Sequence, residues 1–122
     1  MQNAVLAIET ASKINSMGYN VAEEAIAKGI GLAGWSGRLE QVAKAPDFFI
    51  DGAHNEEAAQ RLRESIEIYF TNRRLIFIIG VLADKDYKSM LKLLAPLADT
   101  IIALTPNNNR ALSSAMLAYE AS

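Results

Sequence analysis

Phe48-Phe49-Ile50-Asp51-Gly52-Ala53-His54-Asn55-Glu56-Glu57-Ala58-Ala59 (residues 48–59) moves from an apolar run through a polar turn into a helix-forming run. Phe48 to Ile50 reads as a buried strand, and Glu56 to Ala59 as the start of a helix. Gly52 lets the backbone turn between them. Asn55 is suited to cap the helix, with Glu56 and Glu57 set against the positive end of its dipole. In an open α/β sheet such a junction is the carboxyl edge of a strand, where ligands bind. Asp51, His54 and Asn55 are presented together there, a set of polar groups that a purely structural turn rarely needs.

The same alternation continues downstream. Ala59, Leu62, Ile66 and Tyr69 form the apolar stripe of the helix. Leu75-Ile76-Phe77-Ile78-Ile79 is a continuous apolar run, which predicts a strand buried on both faces of a parallel sheet. After Gly80-Val81-Leu82-Ala83, Asp84 or Asp86 starts a helix that turns Tyr87, Met90, Leu91 and Leu94 inward. Thr100 to Leu104 is a third such strand, ended by Thr105-Pro106, and Ser113 or Ser114 caps a last helix. Upstream, Arg38 to Val42 alternates as a half-buried strand, and Lys44-Ala45-Pro46 turns the chain back for antiparallel pairing. The expected fold is therefore α/β and Rossmann-like, a mainly parallel sheet flanked by helices, with parallel strands at 47–51, 75–80 and 100–105. Three strands leave unpaired edges, so the sheet reads as truncated, with further strands or another molecule along its edge.

A short helical segment precedes this unit. Residues 3–17 carry Val5, Leu6 and Ile8 at helical spacing and close at Gly18, and a second helix fits Ala22 to Lys28. Both are small and rich in alanine and cannot bury a core of their own. Residues 1–34 thus read as the helical end of a larger domain plus a connector, and residues 35–122 as the first part of a second domain. Gly29-Ile30-Gly31-Leu32-Ala33-Gly34 matches G-x-G-x-x-G letter for letter, but a helix precedes it where the dinucleotide fingerprint needs a strand. It reads as a flexible connector and not as a phosphate cradle.

Composition narrows the function classes. Of 122 residues 51% are hydrophobic, ample for a packed core, and 12 basic against 14 acidic residues give a net charge of −2. No concentrated basic stripe is present, which argues against nucleic acid as a partner. Cysteine is absent, which removes disulfides and thiolate metal sites and fits a reducing compartment. His54 is the sole histidine, so no zinc site is expected and no metal is assigned to this chain. Met1-Gln2-Asn3-Ala4 lacks a basic n-region, and no apolar run approaches the roughly 20 residues of a membrane span. The expectation is a soluble, cytoplasmic protein with no membrane partner.

Trp35-Ser36-Gly37-Arg38-Leu39-Glu40, Asp51-Gly52-Ala53-His54-Asn55 and Gly80-Val81-Leu82-Ala83-Asp84-Lys85-Asp86, in that order, resemble folylpolyglutamate synthase and its bifunctional dihydrofolate synthase relatives, within the wider Mur ligase group. The Gln2-Asn3-Ala4 start and the stretches Thr105-Pro106-Asn107 and Arg110-Ala111-Leu112 extend the resemblance over nearly the whole chain. It implies an ATP-dependent amide ligase that adds glutamate to a folate carboxylate through an acyl phosphate. A central domain would carry the P-loop and the magnesium ligands, and a Rossmann-like C-terminal domain would close over the nucleotide. No G-x-x-x-x-G-K-[ST] occurs in this chain, so the resemblance implies a fragment, inactive alone, that contributes to ATP binding and domain closure.

Carried over residue by residue, the resemblance implies that Asn3 meets ATP from the end of the central domain. Arg38 would reach the phosphates after closure, and Asp51 would meet the nucleotide at a ribose hydroxyl, since a carboxylate repels phosphate. His54 either positions the incoming glutamate or the acyl phosphate, or braces its loop. Trp35 is read as a packing anchor at the domain junction, and Lys85 recurs in the pattern without an assigned role. The implied ligands are ATP, folate or dihydropteroate, and L-glutamate, with Mg2+ held outside this segment. The parent enzyme is expected to be monomeric, and the fragment to self-associate through its exposed sheet edge. A Mur-type peptidoglycan-precursor ligase, a non-catalytic nucleotide-binding α/β module and a purely structural domain remain as alternatives.

Overall fold

The computed structural model describes residues 2–34 and 36–122. Trp35, read above as a junction anchor, lies outside the described residues. The chain divides into two compact units, residues 1–36 and 37–122.

The first unit is a pair of helices, α1 (Gln2–Ser16) and α2 (Glu23–Leu32). Gly18 ends α1 with φ +94°, the left-handed geometry expected of a glycine just past a helix. The connector reading of residues 29–34 is corrected: α2 runs through Gly29 and Gly31 to Leu32. Ile26 and Ile30, four apart and both half-buried, prolong the apolar stripe and outweigh the roughly 1 kcal/mol that each interior glycine costs a helix. With Gly29 to Leu32 inside the helix and the Ala33 N–H bonded to the Ile30 carbonyl at 3.3 Å, the G-x-G-x-x-G stretch does not form the strand-to-helix turn of a dinucleotide site.

The second unit opens with an antiparallel hairpin, β1 (Glu40–Ala43) and β2 (Phe48–Ile50), in which Val42 is an extra residue between the Gln41↔Phe49 and Ala43↔Phe48 pairs. Ala45, at φ +60°, turns the chain between them. Next come α3 (Glu56–Tyr69), β3 (Ile76–Ile79), α4 (Tyr87–Leu94), a 3-10 turn (Ala95–Leu97), β4 (Thr100–Ala103) and α5 (Ser114–Ala121). Strands β3 and β4 pair in parallel, from Ile76↔Thr100 to Ile79↔Ala103. The Asp99 carboxylate accepts the Leu75 N–H at 2.7 Å and fixes the start of this ladder. Past the strands, the Ala83 N–H donates to the Arg110 carbonyl at 2.8 Å and the Leu112 N–H to the Val81 carbonyl at 3.0 Å. The two loops are thereby stitched together at the carboxyl end of the pair.

The α/β class with a parallel sheet flanked by helices is as the sequence predicts, and several details differ, among them β2, read as buried but exposed at Phe48 and Ile50. Strand β2 does not join the parallel sheet: β1–β2 and β3–β4 are separate two-stranded sheets. The expectation assumed that strands joined by one crossover lie side by side, which holds in only about two-thirds of cases. Strands β3 and β4 are not buried on both faces. Ile76 is 56% and Ile78 48% exposed, alternating with half-buried Phe77 and Ile79. A continuous apolar run cannot announce which of its faces a helix covers. Tyr69, placed on the inner stripe of α3, is 68% exposed. The stripe steps by four from buried Ile66 to Phe70 instead, and Phe70 meets Phe49 of β2 edge-on at 4.8 Å.

The core gathers Ala59 of α3 with Met90 and Leu94 of α4, and Leu62, Phe77 and Leu93 pack around them. Helix α4 starts at Asp86, whose carboxylate accepts the Ser89 N–H at 3.2 Å. Hydrogen bonds from the Ser89 side chain and backbone hold the Asp86 carboxyl below its ordinary value. A depressed carboxyl stabilises the helix start above the unfolded value and ceases to do so as pH falls through the lowered one. Acid titration followed at the Ser89 amide should therefore show α4 fraying at its N-terminus below the usual carboxylate range, and Asp86→Asn should abolish that dependence. Among the described residues no helix is long and apolar enough to cross a membrane.

Candidate functional site

Two turns meet at the end of the β1–β2 hairpin, and hydrogen bonds tie them together. The first, leading into β1, runs through Gly37 (φ +72°) and Leu39 (φ +45°). The second, leaving β2, is the Asp51-Gly52-Ala53-His54-Asn55 stretch. The Gly52 N–H donates to the Gly37 carbonyl at 2.7 Å. Asp51 accepts the Leu39 N–H at Oδ2 (2.9 Å) and the Ala53 N–H at Oδ1 (2.8 Å). Glu40 accepts the Gly37 N–H at 2.7 Å. Arg38 thus rides between two left-handed residues, its side chain exposed.

Arg38 and Asp51 line one cleft of about 210 Å³, together with Leu39 and, from α3, Ala58, Arg61, Leu62 and Ser65. This is below the ~300–1,000 Å³ of a site that encloses a whole small ligand. A cleft of this size can hold only part of a ligand as large as a nucleotide. Arg61 and Ser65 are cleft residues that the sequence reading missed. Their spacing from Ala58 by three and seven, one face of a helix, was the available signal. Arg61 is engaged with Glu57 at 2.6 Å.

His54 is exposed, and its Nδ1 lies 2.9 Å from the Gly52 carbonyl oxygen. A carbonyl only accepts, so Nδ1 carries the proton and the neutral ring keeps Nε2 as its acceptor. Asn55 caps α3 as expected, accepting the Ala58 N–H at Oδ1 (2.8 Å). Asn55→Ala should lower the stability of the isolated chain by about 1 kcal/mol in urea denaturation, whereas Asn55→Asp should keep it. Asn3 sits exposed in the first turn of α1, in the other unit. The structure thus brings Arg38, Asp51 and His54 to adjoining turns of one unit and leaves Asn3 in the other.

At the carboxyl end of β3 and β4, Arg110 pairs with Asp84 at 3.1 Å, and Lys85 is exposed beside them. Among the described residues no three His, Cys, Asp or Glu side chains gather as a metal cage requires.

Comparison with known proteins points one way. The family model described as Mur ligase, glutamate ligase domain, matches residues 37–122. The dihydrofolate synthase/folylpolyglutamate synthase of Bacillus subtilis is 39% identical over 101 residues, 82% of this chain and 24% of that protein. Its Mycobacterium tuberculosis counterpart is 33% identical over 121 residues, 98% of this chain and 25% of that protein. Among solved structures, M. tuberculosis folylpolyglutamate synthase complexed with ADP and AMPPCP superposes with a TM-score of 0.79 at 33% identity, covering 86% of this chain and 24% of that one. Escherichia coli FolC in complex with DHPP and ADP gives a TM-score of 0.81 at 30% identity, covering 88% and 26%. The chain spans about a quarter of the length of the curated relatives it matches.

Proposed function

Because the chain belongs to the Mur ligase family, matching its glutamate ligase domain over residues 37–122, we propose that it serves an ATP-dependent ligase that adds L-glutamate to a folate or dihydropteroate carboxylate. The observation that carries this reading is the pair of interlocked turns that sets Arg38 and Asp51 on one cleft. Relatives of the same segment are named for this activity, and solved neighbours hold ADP, DHPP or L-glutamate.

In this reading the carboxylate of the acceptor attacks the γ-phosphorus of ATP, giving an acyl phosphate and ADP. The glutamate amine then attacks the acyl carbon and expels phosphate, leaving an amide. Arg38 grips phosphate oxygens with a two-pronged donor and offsets charge that grows on the transferred phosphoryl group. Asp51 keeps unused lone pairs on both oxygens, enough to accept a ribose hydroxyl. Asn3 contacts the nucleotide from the first unit, taken as the end of the central domain at residues 1–34. His54, its Nδ1 facing the Gly52 carbonyl, presents Nε2 as an acceptor to the glutamate amine; toward the acyl phosphate it would have to act as an N–H donor. Mg2+ would neutralise phosphate charge, with its ligands taken to lie in other parts of the enzyme. The lack of cysteine fits a cytoplasmic setting, and the working enzyme is taken as a monomer.

The isolated 122-residue chain should add no glutamate, because alignment of ATP by the rest of the enzyme supplies much of the rate. Product analysis with folate, ATP, magnesium and glutamate checks this. Glutamate addition by the chain alone would contradict the division of labour.

A further inference from the structure

Asp51 is bound at both carboxylate oxygens before any ligand arrives. One oxygen holds Leu39, twelve residues away on the other turn, and the second holds Ala53 in its own turn. The Leu39 bond restrains a residue at φ +45°, a conformation that a side chain with a Cβ resists. The Arg38 guanidinium next to it has no ion-pair partner among the described residues, in contrast to Arg61, Arg63 and Arg110. With no anchor at its tip, Arg38 takes its place from the backbone that carries it. We infer that Asp51 is a positioning residue for Arg38: its carboxylate locks the Gly37–Leu39 turn and so aims the guanidinium at the phosphates. This rests on the functional reading above and adds to the ribose contact a second role acting through the backbone.

Gly52 belongs to the same device. Its N–H holds the Gly37 carbonyl, and a Cβ there would meet that oxygen at 3.3 Å, close enough that the turn must give. Two independent levers therefore act on one turn.

The test is a double-mutant cycle in the full-length enzyme, with Arg38→Ala, Asp51→Asn and the double variant, supplied with 2′,3′-dideoxy-ATP. That nucleotide has no ribose hydroxyl for Asp51 to accept, so any remaining effect travels through the turn. Asp51→Asn should lower kcat/KM about tenfold with Arg38 present and less than about twofold once Arg38 is alanine. Hydrogen exchange of the Leu39 amide should quicken roughly tenfold in Asp51→Asn. Gly52→Ala should show the same dependence on Arg38, which keeps the test open if Asp51→Asn does not fold. Equal losses with and without Arg38, or an unchanged Leu39 amide, would overturn the positioning role. A kinetically silent Arg38→Ala with ATP itself would instead remove the functional reading beneath it.

Discussion

Arg38→Ala in the full-length enzyme is expected to lower kcat by about two orders of magnitude while KM for ATP changes little. The expectation follows from where the side chain sits. Arg38 is exposed at the rim of a cleft too small to enclose a nucleotide, so it does little to hold ATP in the ground state. In the proposed mechanism its donors would gain value as phosphoryl charge develops and the closed enzyme excludes water. Losing one such donor costs on the order of 3 kcal/mol of transition-state stabilisation. Lysine at the same position should restore only part of the loss, because a point charge cannot reproduce a planar two-pronged grip. Steady-state kinetics with ATP varied separates the terms. A rise in KM with unchanged kcat would make Arg38 a simple affinity contact, and the closure argument would fail.

Leu117→Ala should destabilise the isolated chain by about 3 kcal/mol, within the range for deleting a buried leucine side chain. Among the described residues Leu117 in α5 is the largest side chain with no exposed surface, and its removal leaves a cavity in a unit whose buried core is small. A unit of this size has little stability to spare, so the loss should shift the urea midpoint well outside error. Ile78→Ala, on the open face of β3, serves as the comparison and should cost less than about 1 kcal/mol. Equal losses at the two positions would mean that the open face of the sheet is not open in solution.

The sequence was most legible where side-chain chemistry acts locally. Asn55 caps its helix as expected, and of the paired candidates Asp84 or Asp86 and Ser113 or Ser114 it is Asp86 and Ser113 that cap theirs, because capping depends on one oxygen and a backbone amide three residues on. The antiparallel hairpin was readable for the same reason: its turn residues lie between its strands. Strand order was not, since nothing in an apolar run such as Ile76–Ile79 names its neighbour or its covered face. The candidate site was legible only in part. The strand-end turn announced Asp51 and His54, but only the resemblance raised Arg38 above an ordinary surface arginine. The bond from Leu39 to Asp51 was invisible, because it joins residues twelve apart through a backbone amide that no side-chain pattern reports.

We propose that this segment serves a ligase that joins glutamate to a folate-type carboxylate at the expense of ATP. The most direct measurement is product analysis of the full-length protein given dihydropteroate or tetrahydrofolate, ATP, Mg2+ and labelled L-glutamate. The expected result is one glutamate joined in amide linkage for each ATP converted to ADP and phosphate, with Arg38→Ala slowing both together. ATP hydrolysis without glutamate incorporation, or incorporation into a peptidoglycan precursor in preference to the folate acceptor, would contradict it.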